Sequence, residues 1–142
     1  MVRNECLIFI FPSCYEKWTE IDNILKAKFS ILDKKLITLG ENEKFNLIKA
    51  IYKNEEWLGD ENNNYDGLFY KMGMCFPNEL SEFEVYLVLA DDKSLMETKK
   101  EIRDLCKVDN HSIHTTDSGS NISSFKQMYF NKNSMDINLI DG

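Results

Sequence analysis

Histidine and arginine are scarce in this sequence, which has only His111, His114, Arg3 and Arg103 among its 142 residues. Basic residues as a whole are outnumbered, with 17 lysines and arginines against 24 aspartates and glutamates, and the formal net charge is −7. Non-specific binding to nucleic acid or to an anionic membrane relies on a basic face. We therefore expect neither nucleic acid nor membrane as a partner.

The sequence also lacks a long hydrophobic run and a clustered cysteine motif. Its first apolar run, CLIFIF at residues 6–11, ends at Pro12, and it is too short for a signal peptide or for a membrane span of about 20 residues. The four cysteines are widely spaced without a Cys-x-x-Cys pair, which argues against a zinc cluster or a disulfide framework. We expect a cytoplasmic protein with reduced, mostly buried thiols.

The length predicts one domain over residues 1–142, since domains usually have about 100 to 200 residues. The continuous apolar runs at residues 6–11 and 83–90 predict central strands, the first of them covered on both faces. Segments 30–39 and 111–116 predict two further strands. Helical spacing of apolar residues predicts four helices. They cover about 15–28, about 45–52, the stretch from the DDKS segment at 91–94 to about 106, and about 122–131. Periodicity fails between residues 54 and 79, which indicates a polar loop.

The predicted order of elements is β-α-β-α-loop-β-α-β-α. This order is compatible with a ferredoxin-like α+β sandwich, in which an antiparallel sheet carries helices on one face. A small doubly wound parallel sheet would give a similar order, and both folds require apolar strands and one-sided helices. Periodicity alone leaves the two folds open.

The segment HSIHTTDS at residues 111–118 resembles the signature of nucleoside diphosphate kinases. In that family an aliphatic residue and the catalytic histidine precede a glycine, a serine or threonine, an aspartate and a serine. The resemblance implies that His114 is the nucleophile and that Asp117 belongs to the catalytic group. It also implies substrate contacts from Thr116 and Ser118, and from His111 at the position of the family's asparagine.

The resemblance covers most of the chain, although only the histidine motif is specific. The segment LIKAIYKNEEW places Tyr52 at the family's tyrosine, with Trp57 as the aromatic residue close behind it. In VYLVLADDKSLMETKKEIR, Lys99 falls near one family arginine, and Arg103 has roughly the spacing of a second phosphate-binding arginine. The resemblance implies a ferredoxin-like fold, ATP or another nucleotide bound with Mg²⁺, and transfer through a phosphohistidine.

Several positions depart from the family pattern. Phe11 stands where the family has the lysine of its first strand, and Ser13 replaces the following aspartate. Thr115 replaces the glycine after the histidine, and Phe125 falls near the glutamate that orients the catalytic imidazole. The Gly-Thr-Pro phosphate loop is also missing. These departures are compatible with a nucleotide site that has lost catalysis.

The residues can also be considered without the family. A phosphoryl acceptor is a neutral imidazole with one nitrogen oriented by a hydrogen bond and with cations nearby. His114 beside Asp117, with Lys99 and Arg103 one helical turn apart, could meet these needs. Each of these residues also has a structural interpretation. His114 could be an ordinary strand residue, and Lys99 and Arg103 could lie on a solvated face of the helix. Trp57 could pack as a lid instead of stacking on a base.

A metal site and a two-histidine phosphoesterase are weaker interpretations of the histidine pair. Side chains at i and i+3 of a strand point to opposite faces, and no spacing indicates further ligands. The phosphoesterase class needs a second histidine element that this sequence lacks. Two hypotheses remain: a nucleotide-dependent phosphotransferase acting through His114, and a non-catalytic module that binds a nucleotide or another phosphorylated small molecule and acts through a protein partner. The sequence leaves a homo-oligomer open.

Overall fold

A computed structural model describes residues 3–116 and 122–130 and contains a four-stranded antiparallel sheet. The strands are β1 (Asn4–Ile10), β2 (Ser30–Thr38), β3 (Glu82–Ala90) and β4 (Ile113–Thr115), and they lie in the order β2-β3-β1-β4. Every pair of neighbours is antiparallel. The ferredoxin-like α+β sandwich is thus confirmed, with β1 and β3 as the central strands.

Five α-helices connect and cover these strands: α1 (Trp18–Lys28), α2 (Glu41–Ile51), α3 (Asp66–Cys75), α4 (Asp92–Cys106) and α5 (Ser123–Phe130). Short 3₁₀ helices lie at Pro12–Lys17, Glu56–Leu58, Glu61–Asn63, Pro77–Glu79 and Asp109–His111. None of the helices in the described ranges is long and apolar enough to cross a membrane.

Two of these elements differ from the sequence prediction. The prediction of a loop across residues 54–79 was wrong, because α3 lies within it; its Leu68, Met72 and Cys75 have helical spacing and pack in the core. The strand predicted for residues 111–116 is shorter, since His111 ends a 3₁₀ helix and only Ile113–Thr115 pair with β1.

Helices cover both faces of the sheet, so their expected restriction to one face was wrong. Cys6, Ile8 and Ile10 of β1 point to a face covered by α1 and α4, which we call the aliphatic face. Leu7 and Phe9 point to the opposite face, covered by α2, α3 and α5, which we call the aromatic face. The reason is the continuous apolar character of β1 and β3, because strands that are hydrophobic on both sides must be covered on both.

Local hydrogen bonds define the starts of the two helices that flank the candidate site. The Asp91 carboxylate accepts a hydrogen bond of 3.0 Å from the Ser94 backbone N–H and caps α4. At the start of α2, the Glu43 carboxylate accepts a 2.8 Å hydrogen bond from the Gly40 N–H. These caps fix where α2 and α4 begin, and therefore where Tyr52 and Arg103 at their far ends lie.

The expectation that the thiols are reduced was wrong for two of the four cysteines. Cys14, in the 3₁₀ helix after β1, forms a disulfide with Cys106, the last residue of α4, and their Cα atoms are 5.6 Å apart. Cys6 and Cys75 are free and buried. The paired cysteines are 92 residues apart in the chain, so only the fold brings them together. A disulfide is uncommon in reducing compartments, and the cytoplasmic location stays a prediction.

Candidate functional site

Tyr52, which directly follows α2, lies at the centre of the candidate site. Its ring meets the ring of His114 edge to face, with 5.1 Å between the centroids, and it lies 5.3 Å from the ring of Trp57. Burial raises the pKa of Tyr52 above its usual value; the Cys75 thiol adds to this rise, and the positive charge of Arg103 opposes it. Residues from α3, α4 and β4 therefore influence one side chain.

His114 occupies the middle of β4, opposite Phe9 of β1. The two rings lie 5.9 Å apart, and the ring of Phe125 from α5 packs edge-on against Phe9 at 5.5 Å. Phe125 is the residue near the family's orienting glutamate, and here it belongs to the hydrophobic core. The surroundings of the His114 imidazole are thus largely aromatic.

Arg103 lies in the last turn of α4 and carries a buried polar atom. Its Nε is shielded from solvent and has no hydrogen-bond partner among the residues that the structure describes. Leaving a buried donor unsatisfied costs roughly 1–3 kcal/mol, and such groups often mark a site that a ligand completes. The positive charge of Arg103 also acts on Tyr52, where it opposes the rise in the tyrosine pKa.

Lys99 lies one turn before Arg103, and both residues line a groove along α4. We call this the basic groove; its lining residues are Met96, Lys99, Lys100, Arg103, Asp104, Lys107 and Asn110. The predicted shared face of Lys99 and Arg103 follows from their spacing of four residues. His114 is not among the residues that line this groove.

A second groove, which we call the aromatic groove, has a volume of about 550 Å³ and adjoins the basic groove at Asn110. It is lined by Trp57, Asp66, Gly67, Tyr70, Lys71, Asn110 and His111. The side chain of Trp57 is 45% exposed there, which leaves part of the indole accessible. In the predicted strand over residues 111–116, His111 and His114 would point to opposite faces. Because His111 lies in a 3₁₀ helix instead, it reaches this groove.

Gly67 brings α3 against the backbone at Trp57. A Cβ atom at position 67 would overlap the Trp57 carbonyl group, lying 2.6 Å from its carbon. Only a residue without a side chain permits this approach, and the approach sets the position of the indole at the mouth of the aromatic groove.

The remaining predicted residues follow His114 in the chain. Thr116 is buried, and its side-chain oxygen accepts a 2.8 Å hydrogen bond from the Leu7 N–H, while its own N–H donates to the Leu7 carbonyl at 3.0 Å. These bonds extend the pairing of β4 with β1, which gives Thr116 a structural contact. Asp117 and Ser118 lie outside the described residues.

Sequence reasoning missed the part of the site that α3 contributes. Lys71 is buried, and its ammonium lies 5.2 Å from the centroid of the Tyr52 ring. Asp66 and Tyr70 line the aromatic groove from the same helix. The helical spacing of Leu68, Met72 and Cys75 could have revealed α3. No sequence signal distinguishes the buried Lys71 from a solvated lysine.

The described residues contain no group of three or more histidine, cysteine, aspartate or glutamate side chains that could hold a metal ion. Asp66 is the carboxylate among the residues that line the aromatic groove. One carboxylate fits a Mg²⁺ ion that is held mainly by phosphate oxygens and water, which is how this ion usually accompanies nucleotides. It does not fit a metal centre built by protein ligands.

Comparison with solved structures relates this fold to nucleoside diphosphate kinases. The enzyme from Aquifex aeolicus superimposes with a TM-score of 0.54 at 14% sequence identity, covering 89% of this chain and 93% of that one. The halophilic enzyme from Halobacterium salinarum in complex with CDP gives a TM-score of 0.51 at 8% identity, covering 89% and 85%. No protein-family model matches the sequence, and no curated protein matches it significantly. The remote resemblance seen in the sequence is thus confirmed at the level of the fold.

Proposed function

We propose that the chain is a divergent nucleotide-dependent phosphotransferase in which His114 accepts the phosphoryl group. The observation that carries this proposal is the buried Arg103 Nε without a hydrogen-bond partner in the described chain, on a residue whose charge acts on the tyrosine that contacts the His114 ring. A phosphate oxygen between them would satisfy the guanidinium, and arginine is well suited to such a contact.

The nucleotide would lie in the aromatic groove, with its base against the exposed part of Trp57 and its phosphates directed towards Tyr52 and His114. In the first step a ring nitrogen of His114 attacks the terminal phosphorus, the bond to the bridging oxygen breaks, and the nucleoside diphosphate leaves. The phosphoryl group then passes to an oxygen of an acceptor, which restores the neutral imidazole.

Charge neutralisation is most of what a phosphoryl-transfer site contributes. Arg103 would supply it at the transferred group, and Lys99 and Lys100 extend the positive charge along the basic groove. Mg²⁺, when present, would neutralise phosphate oxygens, with Asp66 as the nearby carboxylate of the groove. Asp117 and Ser118 are retained in this proposal on the sequence resemblance alone.

A labelling experiment tests the proposal. Incubation with a γ-labelled nucleoside triphosphate and Mg²⁺ should give a label that is labile in acid and stable in base, because phosphohistidine is a phosphoramidate. His114→Ala should abolish the label, whereas His111→Ala should retain it. Arg103→Met should reduce the labelling rate by about 10³-fold or more, as expected for an arginine that stabilises the transferring group. Absence of label with every triphosphate contradicts the catalytic proposal.

A non-catalytic nucleotide- or phosphate-binding module, acting through a protein partner, is the second candidate. Phe11 and Phe125 favour it, because both are part of the hydrophobic core at positions where the family has a lysine and a glutamate. Calorimetry separates the two candidates: the module should bind a nucleotide without labelling, and Arg103→Met should weaken that binding. Self-association stays a prediction, which sedimentation analysis of the purified chain would test.

A further inference from the structure

Lys71 of α3 is a buried cation that has no part in the phosphoryl transfer proposed for His114. Only 4% of its surface is exposed. Its Nζ lies 2.8 Å from the Asn110 carbonyl oxygen, 3.3 Å from the Asn110 Oδ1 and 2.9 Å from the His111 Nδ1. An ammonium group has three donors and no acceptor, and these contacts join α3 to the turn before β4.

The same ammonium lies over the ring of Tyr52, 5.2 Å from its centroid. This is the ring that His114 contacts from β4. The first strand supplies no cation here, because Phe11 is fully buried and packs against Phe76 and Phe83. Lys71 therefore brings a positive charge to the tyrosine from α3, and not from the first strand.

The contact with Lys71 also determines the state of His111. Because an ammonium can only donate, the His111 Nδ1 must accept, which places the ring proton on Nε2. Protonation of Nδ1 would remove this hydrogen bond and bring two cations within 2.9 Å. The titratable side chains that line the groove with His111 are Lys71, Tyr70 and Asp66. The imidazole is thus held neutral and in one tautomer.

We propose that Lys71 is the positioning residue of the aromatic groove, a role that rests on the proposed function for its ligand. It holds the Asn110–His111 turn against α3, keeps His111 neutral with its proton on Nε2, and supplies a fixed positive charge beside Tyr52 for a nucleotide phosphate. The ligand class is therefore a nucleotide whose phosphates pass between Lys71 of α3 and Arg103 of α4.

The first test needs no ligand. Nitrogen-15 NMR of the two histidines in the wild-type chain should show His111 as the neutral Nε2–H tautomer throughout pH 5.5–8. In Lys71→Met, His111 should titrate close to the ordinary histidine pKa of about 6.5. A wild-type His111 that carries its proton on Nδ1, or that titrates near 6.5, overturns the positioning role.

The second test measures binding of ATP with Mg²⁺ by calorimetry. Lys71→Met should weaken binding about tenfold or more, because it removes a positive charge near the phosphates and the hydrogen bonds that hold the Asn110–His111 turn. Lys71→Arg should recover part of the binding. The matched control is Lys44→Met, since Lys44 is also buried and also lies over an aromatic ring, that of Phe76, but does not line the groove. Lys44→Met should bind as the wild type does.

The outcomes separate this inference from the proposed function. Equal affinity of wild type and a folded Lys71→Met overturns the inference while leaving nucleotide binding intact. If the wild type itself binds no nucleotide, the proposed function fails, and the His111 tautomer still decides whether Lys71 positions the turn. Should Lys71→Met not fold, the calorimetry is repeated with Lys71→Gln. The tautomer of His111 in the wild type tests the positioning role independently of either variant.

Discussion

The two faces of the sheet are built from the same strands and differ in what their side chains do. On the aliphatic face, α1 and α4 pack Ile21, Leu25 and Ile102 against β1 and β3. A polar network at the edge of that face satisfies its own charges, because Asp22 and Glu84 both pair with Lys34. On the aromatic face, phenylalanine and tyrosine rings dominate, and the Tyr52 ring continues this cluster into the groove.

The difference teaches where a ligand can be accommodated. Charges that pair with one another, as at Asp22 and Lys34, leave little for a ligand to satisfy. The buried Arg103 Nε lacks a partner in the described chain, and Lys71 is held by a carbonyl, an amide and an imidazole. The Arg103 Nε is therefore the buried donor that a phosphate oxygen would satisfy.

The largest expected effect concerns Phe9, whose ring contacts Phe83, His114, Phe125 and Tyr129. Phe9→Ala should lower the free energy of unfolding by about 3–5 kcal/mol because it leaves a cavity in the aromatic face. Urea unfolding provides the measurement. The His114 NMR signals should shift as well, because a neighbouring ring is lost.

The control for Phe9 is Ile8→Ala, its neighbour on the aliphatic face of the same strand. It should cost about 2–5 kcal/mol and leave the His114 signals nearly unchanged. Equal effects of the two variants on His114 would contradict the separation of the two faces.

The second effect concerns the disulfide between Cys14 and Cys106. Its reduction should lower the free energy of unfolding by about 2–4 kcal/mol, because it closes a long loop of the unfolded chain. Urea unfolding with and without reductant measures the difference, which should vanish in the double variant Cys14→Ser, Cys106→Ser. Thiol titration of the denatured, unreduced protein should detect only Cys6 and Cys75. Titration of all four thiols would disprove the pairing.

The third effect compares two glycines on α3. Gly67→Ala should cost about 1–3 kcal/mol, since the new methyl group meets the Trp57 carbonyl and the backbone must move. The indole should shift with it, which tryptophan fluorescence would detect. Gly73→Ala, where a Cβ meets nothing within 4 Å, should instead stabilise the helix by about 0.5–1 kcal/mol. Destabilisation by both variants would refute the specific contact at Gly67.

The smallest effect tests the polar network of the aliphatic face. Partial burial opposes ionisation of Asp22, but hydrogen bonds from Lys26, Tyr86 and Lys34 outweigh it and lower its pKa to about 2. Because the folded pKa lies below the ordinary value of 3.8, the carboxylate stabilises the fold above about pH 4, and this contribution is lost as the pH falls towards 2.

Asp22→Asn should therefore cost about 1–2 kcal/mol at pH 7 and little at pH 2, in unfolding experiments run across this range. Glu20→Gln is the control, because Glu20 lies on the same helix in an exposed pair with Lys17. A loss of stability in Asp22→Asn that does not depend on pH would rule out the network as its cause.

Much of the fold could be predicted because it depends on local patterns. Continuous apolar runs identified β1 and β3 as central strands, and helical spacing identified α1 and α4. The failure at α3 has a physical cause: Gly67, Gly73 and the buried Lys71 dilute its apolar stripe, so its spacing was hard to recognise. Of the three helices on the aromatic face, α2 and α5 were predicted and α3 was missed.

The candidate site was predicted only in part. Tyr52, Trp57 and His114 were each singled out by their place in a motif, and they meet around one ring in the structure. The motif could not show that Thr116 binds the backbone of Leu7, or that the Arg103 Nε is buried without a partner in the described chain. Such distinctions depend on which way a side chain points, and sequence spacing alone does not contain that information.

By itself the sequence determined the composition of the strands, the two-sided burial of β1 and β3, and the histidine motif, because hydrophobic periodicity and short-range spacing are local properties. Only the tertiary structure decided the pairing of Cys14 with Cys106 and the contact of Lys71 with the turn at His111. These partners are 92 and 40 residues apart. The free energy that selects them comes from the packing of whole elements against one another, which no single segment encodes.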